Sequence, residues 1–368
     1  LLSGTGMTKD GQTLSYEEAM QRMRREILGA AAAFLTNPTS GRFELALSGS
    51  GNTFEETRSA LEWMGAMLFA PNWTLANITR LRDVVDQSIN AIRSTMQRSE
   101  ENWVQGPAQS WTYQDNPLFL TVTSFHTQQH HLHRLRWLLT DASLGEAEIE
   151  ARLEKDLQFI AGELPDSSRD ADLAYVRRVS LEDLAIPVPE VLLELDNVRK
   201  SLLNRSSARA HLTASPENAA SLKPLIEALL LKLPEEAIAL RAPMLPRGVA
   251  KRVMAREGLA TEPLFVGLLA PNMQGGVHLH SVPGVSVLDL DEESALKFLA
   301  FRLFSGGGPH GIFMKTWAAG LAYSNGLRSS AFEGRMHYYA ERTIELPQTV
   351  QFVVNELKTS PREKPLSE

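Results

Sequence analysis

Two hydrophobic periods alternate along the chain, and each period names an element. Met20, Met23, Ile27 and Leu28 recur at helical spacing behind Ser15-Tyr16-Glu17-Glu18, a capping box in which the Ser hydroxyl accepts from a backbone donor while Glu18 reaches back, so a helix is predicted over 16–34. Over 42–51 the period drops to two, with Phe43, Leu45 and Leu47 on one face and Arg42, Glu44 and Ser48 on the other, a half-buried strand that ends in Ser-Gly-Ser-Gly. Thr53-Phe54-Glu55-Glu56 is a second capping box, and it opens a helix carrying Leu61, Met64, Met67 and Leu68 that Pro71 stops. A third helix is predicted over 75–97, with Leu75, Ile78, Leu81, Val85, Ile89 and Ile92 inward.

Further on, the stretch 100–125, with Trp103, Trp111, Tyr113 and Pro117, reads as irregular or short-helical. Helices are predicted over 126–139 and over 144–164, the latter behind Ser143 and Glu146; a polar break at 165–170 then separates them from a helix near 190–204. A short strand at 208–213 and an apolar helix over 221–233 lead to a loose segment, 234–248, with Pro243 and Pro246, where the domain boundary is placed. Beyond it 263–270 is strand-like, 292–304 helical, 321–329 and 336–346 strands, and 348–358 a last helix before a polar tail. The pattern predicts domains over 1–235 and 248–368, the second expected to be cut short, and since Leu1 is not a Met the start is expected upstream.

Composition narrows the classes. A chain of 368 residues exceeds the roughly 250 to 300 residues that one core serves, consistent with two domains. The 43% hydrophobic and 22% charged residues are those of a soluble globular protein. A net charge of -7 gives no basic footprint for nucleic acid, and Arg22, Arg24 and Arg25 are interleaved with acids. With no cysteine, a disulfide framework, a thiolate metal site and a cysteine nucleophile are excluded. No run approaches the roughly 18 to 20 apolar residues that span a bilayer, and no basic-then-apolar signal pattern opens the sequence; the compartment is left open.

The block Leu303-Phe304-Ser305-Gly306-Gly307-Gly308-Pro309-His310-Gly311-Ile312-Phe313-Met314-Lys315, running into Ala319-Gly320-Leu321-Ala322-Tyr323-Ser324, resembles the glycine-rich turn, helix and G-L-A-Y-S strand of the pitrilysin/insulinase family of zinc metallopeptidases. Leu2-Ser3-Gly4-Thr5-Gly6 through Glu17-Glu18, then 43–51, then Val84-Val85-Asp86-Gln87-Ser88-Ile89, resembles the segment that follows the family's zinc helix. Arg209-Ala210-His211-Leu212-Thr213-Ala214-Ser215, followed by 222–234, is similar to the end of the third domain in the presequence-protease branch. The resemblance implies an α+β fold of two related processing-peptidase-like domains, each an antiparallel-rich sheet packed with helices. It makes this chain the third domain and part of the fourth, within the C-terminal half that lacks the metal. It also implies, as partners, an N-terminal catalytic half, in the same polypeptide or another chain, and an unfolded peptide substrate.

Zinc hydrolysis in this family uses two His of H-x-x-E-H, a distant Glu and the motif Glu as base. The nearest look-alike, His126-Thr127-Gln128-Gln129-His130, carries Gln129 where the base must be, and an amide cannot take a proton from water. The family's third ligand falls on Ser88, a poor one for zinc. Zinc is therefore expected only in the absent N-terminal half, with no metal and no catalytic residue in this chain. His126, His130, His131 and His133 could hold an adventitious metal or form a polar helix face.

In the family a Tyr of the G-L-A-Y strand and a nearby Arg reach the substrate carbonyl, and Tyr323 matches that Tyr. A phenol aimed at an oxygen gaining charge stabilises the tetrahedral intermediate, although most strand tyrosines merely pack. Where the Arg is expected stand Thr316 and Trp317; Lys315, the nearby cation, is expected with Tyr323 among the substrate-binding residues, and Arg328 is a more distant candidate. Gly306, Gly307 and Gly308 are either a peptide contact or a tight turn, and the Gly-Lys-Ser/Thr ending of a phosphate loop is absent. The expected function is the substrate-binding, chamber-closing half of a peptidase, inactive alone. The alternatives are a scaffold or assembly subunit of the same descent, or a free-standing binding module.

Overall fold

In a computed structural model of the protein, the described residues are 1–37, 42–98, 116–140, 145–162, 169–235, 254–255, 258, 260, 275–289, 291–305, 311–331 and 334–363. Helices with small antiparallel sheets make up an α+β chain that divides into two compact units. The first comprises 1–35, 44–91 and 129–241, the second 36–43, 92–128 and 242–368. Among the described residues no helix is long and apolar enough to cross a membrane.

The first unit opens with a hairpin, β1 (Met7–Lys9) and β2 (Gln12–Leu14), paired Met7 to Leu14 and Lys9 to Gln12. Asp10 and Gly11 turn it at φ of 52° and 73°, the two positive values that match the turn's twist to the strands. α1 (Tyr16–Glu26) follows with the capping box complete: the Glu18 N–H donates to Ser15 Oγ at 3.2 Å, and the Ser15 N–H donates to Glu18 Oε2 at 2.8 Å.

The helix predicted to run to residue 34 stops at Glu26, and 29–37 is a strand instead. Ile27 is extended, the Leu28 N–H donates to the Ser50 carbonyl at 3.1 Å, and β3 (Gly29–Asn37) pairs with β4 (Arg42–Ser50). The Ala30–33 run favours helix by only a few tenths of a kcal/mol per residue, and a paired strand overrides that preference. α2 (Phe54–Phe69) is capped by Thr53 and lies close to β4, since a Cβ on Gly49 would come within 2.8 Å of Met64 Sδ. These elements share a core of Met7, Leu14, Met23, Ile27, Trp63 and Met67.

α3 (Ile78–Arg98), α5 (Phe125–Leu138) and α8 (Val188–Leu202) bury Leu81, Val85, Ile89, Leu139, Val191 and Leu192 together, and α4 (Pro117–Thr123) precedes α5. α6 (Glu146–Ala161) and α7 (Arg169–Leu184) close on Trp137, Leu153 and Leu157. α7 lies in the interval between the polar break and residue 190 for which the pattern predicts no helix, because its apolar residues Leu173, Val176 and Leu184 are diluted by charge. α9 (Pro216–Leu231) lies on α2, with the Gly65 position 3.3 Å from Leu229. The strand expected at 208–213 does not form: the segment pairs with no strand among the described residues, and Arg209 there is held by Glu44 at 2.5 Å. Ala208, Ala210 and Leu212 at alternate positions bury too little to hold an unpaired strand.

The second unit holds a three-stranded antiparallel sheet in the order β5 (Gly276–Pro283), β7 (Arg335–Thr343), β6 (Ser324–Ser330). β5 was not foreseen, and the strand expected at 263–270 lies outside the described residues. α10 (Glu292–Ser305) begins where Asp291 accepts from the Ser294 N–H at 2.8 Å. α11 (Ile312–Ala318) and α12 (Leu346–Glu363) join it on one face of the sheet, against Leu327, Tyr338 and Ala340.

Candidate functional site

The segment between α11 and β6 is fixed from three sides. Gly320, at φ of 67°, ends α11 in the left-handed conformation that glycine adopts without strain, with its N–H on the Trp317 carbonyl at 2.9 Å. The Leu321 N–H donates to the Thr316 carbonyl at 3.2 Å, and Thr349 Oγ1 on α12 donates to the Leu321 carbonyl at 3.1 Å. Ala322 is buried in the core, so the next residue, Tyr323, is turned outward at the entry to β6 and is 68% exposed. An aromatic ring on rigid supports yet open to solvent is not a core tyrosine, because burying it would gain roughly 2 kcal/mol or more.

Beside it stands Arg342, whose guanidinium carbon lies 5.4 Å from the Tyr323 ring centroid. One residue of β5, Val277, lies between the pairs Gly276–Thr343 and His278–Ala340 where β7 has two, Glu341 and Arg342, so β7 bulges there. Arg342 sits in the bulge at φ of 51°, a left-handed conformation that costs a side-chain-bearing residue about 1 to 2 kcal/mol. Strain of this kind persists where the surroundings fix it, and it collects at functional positions. The bulge re-aims Arg342 outward, toward Tyr323, where regular pleating would alternate it with its neighbours.

The other residues singled out from sequence are disposed differently. Lys315 Nζ on α11 is turned to Glu356 Oε2 of α12 at 2.5 Å, both half-buried. Arg328 stacks on Tyr339, its guanidinium carbon 3.8 Å from the ring centroid. Gly306, Gly307 and Gly308 lie outside the described residues. Sequence reasoning missed Arg342, because a Glu-Arg-Thr at the end of an alternating strand carries no sign of a bulge.

The residues that a zinc site would need here do not fit one. Ser88 Oγ donates to the Val84 carbonyl of its own helix at 2.8 Å. On α5, Gln129 is buried, and His130 stacks on Tyr175 with ring centroids 6.0 Å apart; the side chain of His126 lies outside the described residues. His133 Nδ1 is 4.0 Å from Asp156 Oδ2, and Arg134 takes Asp183, only 2% exposed, at 2.6 Å. Burial holds the imidazoles of His130 and His131 below their ordinary protonation range, with the positive charge of Arg134 adding to the effect. Among the described residues no group of three His, Asp or Glu side chains could hold a metal ion.

No protein-family model and no curated protein matches the chain.

Proposed function

We propose that the chain is the substrate-handling half of a pitrilysin/insulinase-type zinc metallopeptidase of the presequence-protease branch, without the zinc ligands and inactive alone. One observation carries the reading: the tyrosine of the G-L-A-Y-S block, Tyr323, stands exposed at a strand entry with a guanidinium over its ring. In an assembled chamber the Tyr323 O–H donates to the substrate carbonyl oxygen as that oxygen gains negative charge. Arg342 supplies positive charge on the same side, and its planar fork of donors suits an oxygen anion better than the amine of Lys315, which Glu356 already neutralises. In this reading the metal and the base belong to the partner half.

β5 and β6 are the outer strands of the sheet among the described residues, and an extended peptide pairs with such an edge through its own backbone donors and acceptors. This favours unfolded peptides over folded proteins as substrates. The test is cleavage of an unstructured peptide by the assembly containing both halves, with Tyr323→Phe as the variant. Loss of one preorganised donor lowers kcat about 100-fold; an unchanged rate overturns the role given to Tyr323.

A second reading, a scaffold subunit of the same descent, draws support from the Lys315–Glu356 pair, which turns the cation nearest the block inward. That reading predicts no chelator-sensitive cleavage in any assembly.

A further inference from the structure

The strands of the second unit carry an unusual charge pattern. In the first unit several arginines are neutralised at close range, as in Arg134 with Asp183 at 2.6 Å, Arg136 with Asp156 at 3.1 Å and Arg199 with Asp196 at 2.6 Å, while Arg80 lies on the Tyr16 ring at 3.7 Å. On β6 and β7 the arginines Arg328 and Arg335 follow the second pattern. Directly opposed residues in an antiparallel pair share a face, so the register places Arg328 with His337 and Ser330 with Arg335 on the face away from Leu327, Tyr338 and Ala340 and hence away from the helices.

Both arginines on that face are held in place without an acid. Arg335 Nε donates to Ser281 Oγ of β5 at 2.7 Å. Arg328 is exposed and lies flat on Tyr339, and Tyr339 in turn rests on Gly326, where a Cβ would come within 3.3 Å of the ring. A side chain at 326 would press on this platform. Among the described residues neither Arg328 nor Arg335 has a carboxylate within ion-pairing distance. The three strands contain one acid, Glu341, which is buried and faces Ser324 at the other end of the sheet.

We propose that this polar face binds the carboxylates of an acidic, extended peptide segment, with Arg328 and Arg335 receiving the side chains and Tyr339 orienting Arg328. A guanidinium takes a carboxylate through two parallel N–H donors, and stacking on an aromatic ring fixes its plane before binding, so less side-chain freedom is lost. The spacing adds a constraint. Arg328 and Arg335 are diagonal cross-strand neighbours, about 7 to 8 Å apart at their backbones. Residues i and i+2 of an extended peptide are separated by about 6.6 Å and point the same way, so the face matches acids at alternate positions. Nucleic acid is disfavoured, because its phosphates run on past two guanidiniums onto a protein whose net charge is -7.

The inference rests on the reading above in taking the ligand to be an unfolded peptide, yet it needs neither zinc nor cleavage. The experiment is fluorescence anisotropy of the 368-residue chain with three labelled unstructured peptides, identical except for Glu, Gln or Lys at alternate positions. The Glu peptide is expected to bind at least 10-fold more tightly than the other two, and more weakly as salt rises. The Arg328→Gln/Arg335→Gln double variant is expected to lose that margin with an unchanged melting temperature. Should the double variant melt lower, Arg328→Gln alone, at the exposed position, decides the matter by the same loss of margin. Equal binding of the three peptides, or a margin retained in the variants, overturns the proposal. A single-stranded oligonucleotide bound as tightly through the same arginines overturns the assignment to a peptide. Failure here leaves the Tyr323 result untouched, and an inactive assembly leaves this binding result untouched.

Discussion

The left-handed Arg342 gives the sharpest test of how the site is built. Replacing it by Gly relieves about 1 to 2 kcal/mol of backbone strain, since the residue stands at φ of 51°. Against this, Gly leaves the unfolded chain freer by roughly 0.5 to 1 kcal/mol, and loss of the guanidinium over Tyr323 removes about 0.5 to 1 kcal/mol at so exposed a place. Arg342→Gly is therefore close to neutral. Arg342→Ala loses the same ring contact but keeps the strain, because its Cβ meets the same carbonyl oxygen, so it falls below the Gly variant by about 1 kcal/mol. No cavity confuses the comparison, as Arg342 is exposed. Urea unfolding of both variants, followed by hydrogen exchange of the β7 amides, measures the difference. If Ala is as stable as Gly, the bulge is not strained and the argument that the fold holds Arg342 toward Tyr323 fails. If instead both variants leave cleavage by the proposed assembly unchanged, the strain has no part in the proposed role of Arg342.

Two further outcomes follow from the first unit. His130 and His131 have folded pKa values below the ordinary 6.5, so the unfolded chain binds more protons; their stability contribution is intact above pH 6.5 and is lost as pH falls through the lowered values. His130→Phe keeps the stack on Tyr175 and should flatten the fall in melting temperature as pH drops below 6.5; an unchanged slope refutes the assignment. Leu153 is fully buried between α6 and α7, so Leu153→Ala should cost about 2 to 5 kcal/mol by urea titration, and a loss under 1 kcal/mol would mean that this core does not behave as packed.

What could be read from the sequence was local. Ser15 with Glu18, and Thr53 with Glu56, announce their helices because the capping partners are three residues apart, and both helices begin there. The hairpin at Asp10-Gly11 carried an equally local signal and was passed over. Failures came where distant chain decides. Four alanines read as helix became β3 because β4 pairs with it, whereas 208–213 pairs with no strand among the described residues and is held to β4 through Arg209 and Glu44. At the candidate site, the resemblance pointed to Tyr323 and local turn chemistry turns it outward, but Arg342 depends on the register of β5 against β7. That Lys315 would be taken by Glu356, 41 residues on, was equally unreadable.

The central claim is that this chain completes a peptidase it cannot run alone. The most direct measurement is chelator-sensitive cleavage of an unstructured peptide by a polypeptide or pair of chains that carries H-x-x-E-H together with residues 1–368, compared with the same preparation lacking these residues. The account predicts cleavage that needs both zinc and this chain and that drops about 100-fold with Tyr323→Phe. Cleavage that proceeds equally well without residues 1–368, or that never appears in any such assembly, contradicts it and leaves Tyr323 and Arg342 as surface residues of a scaffold.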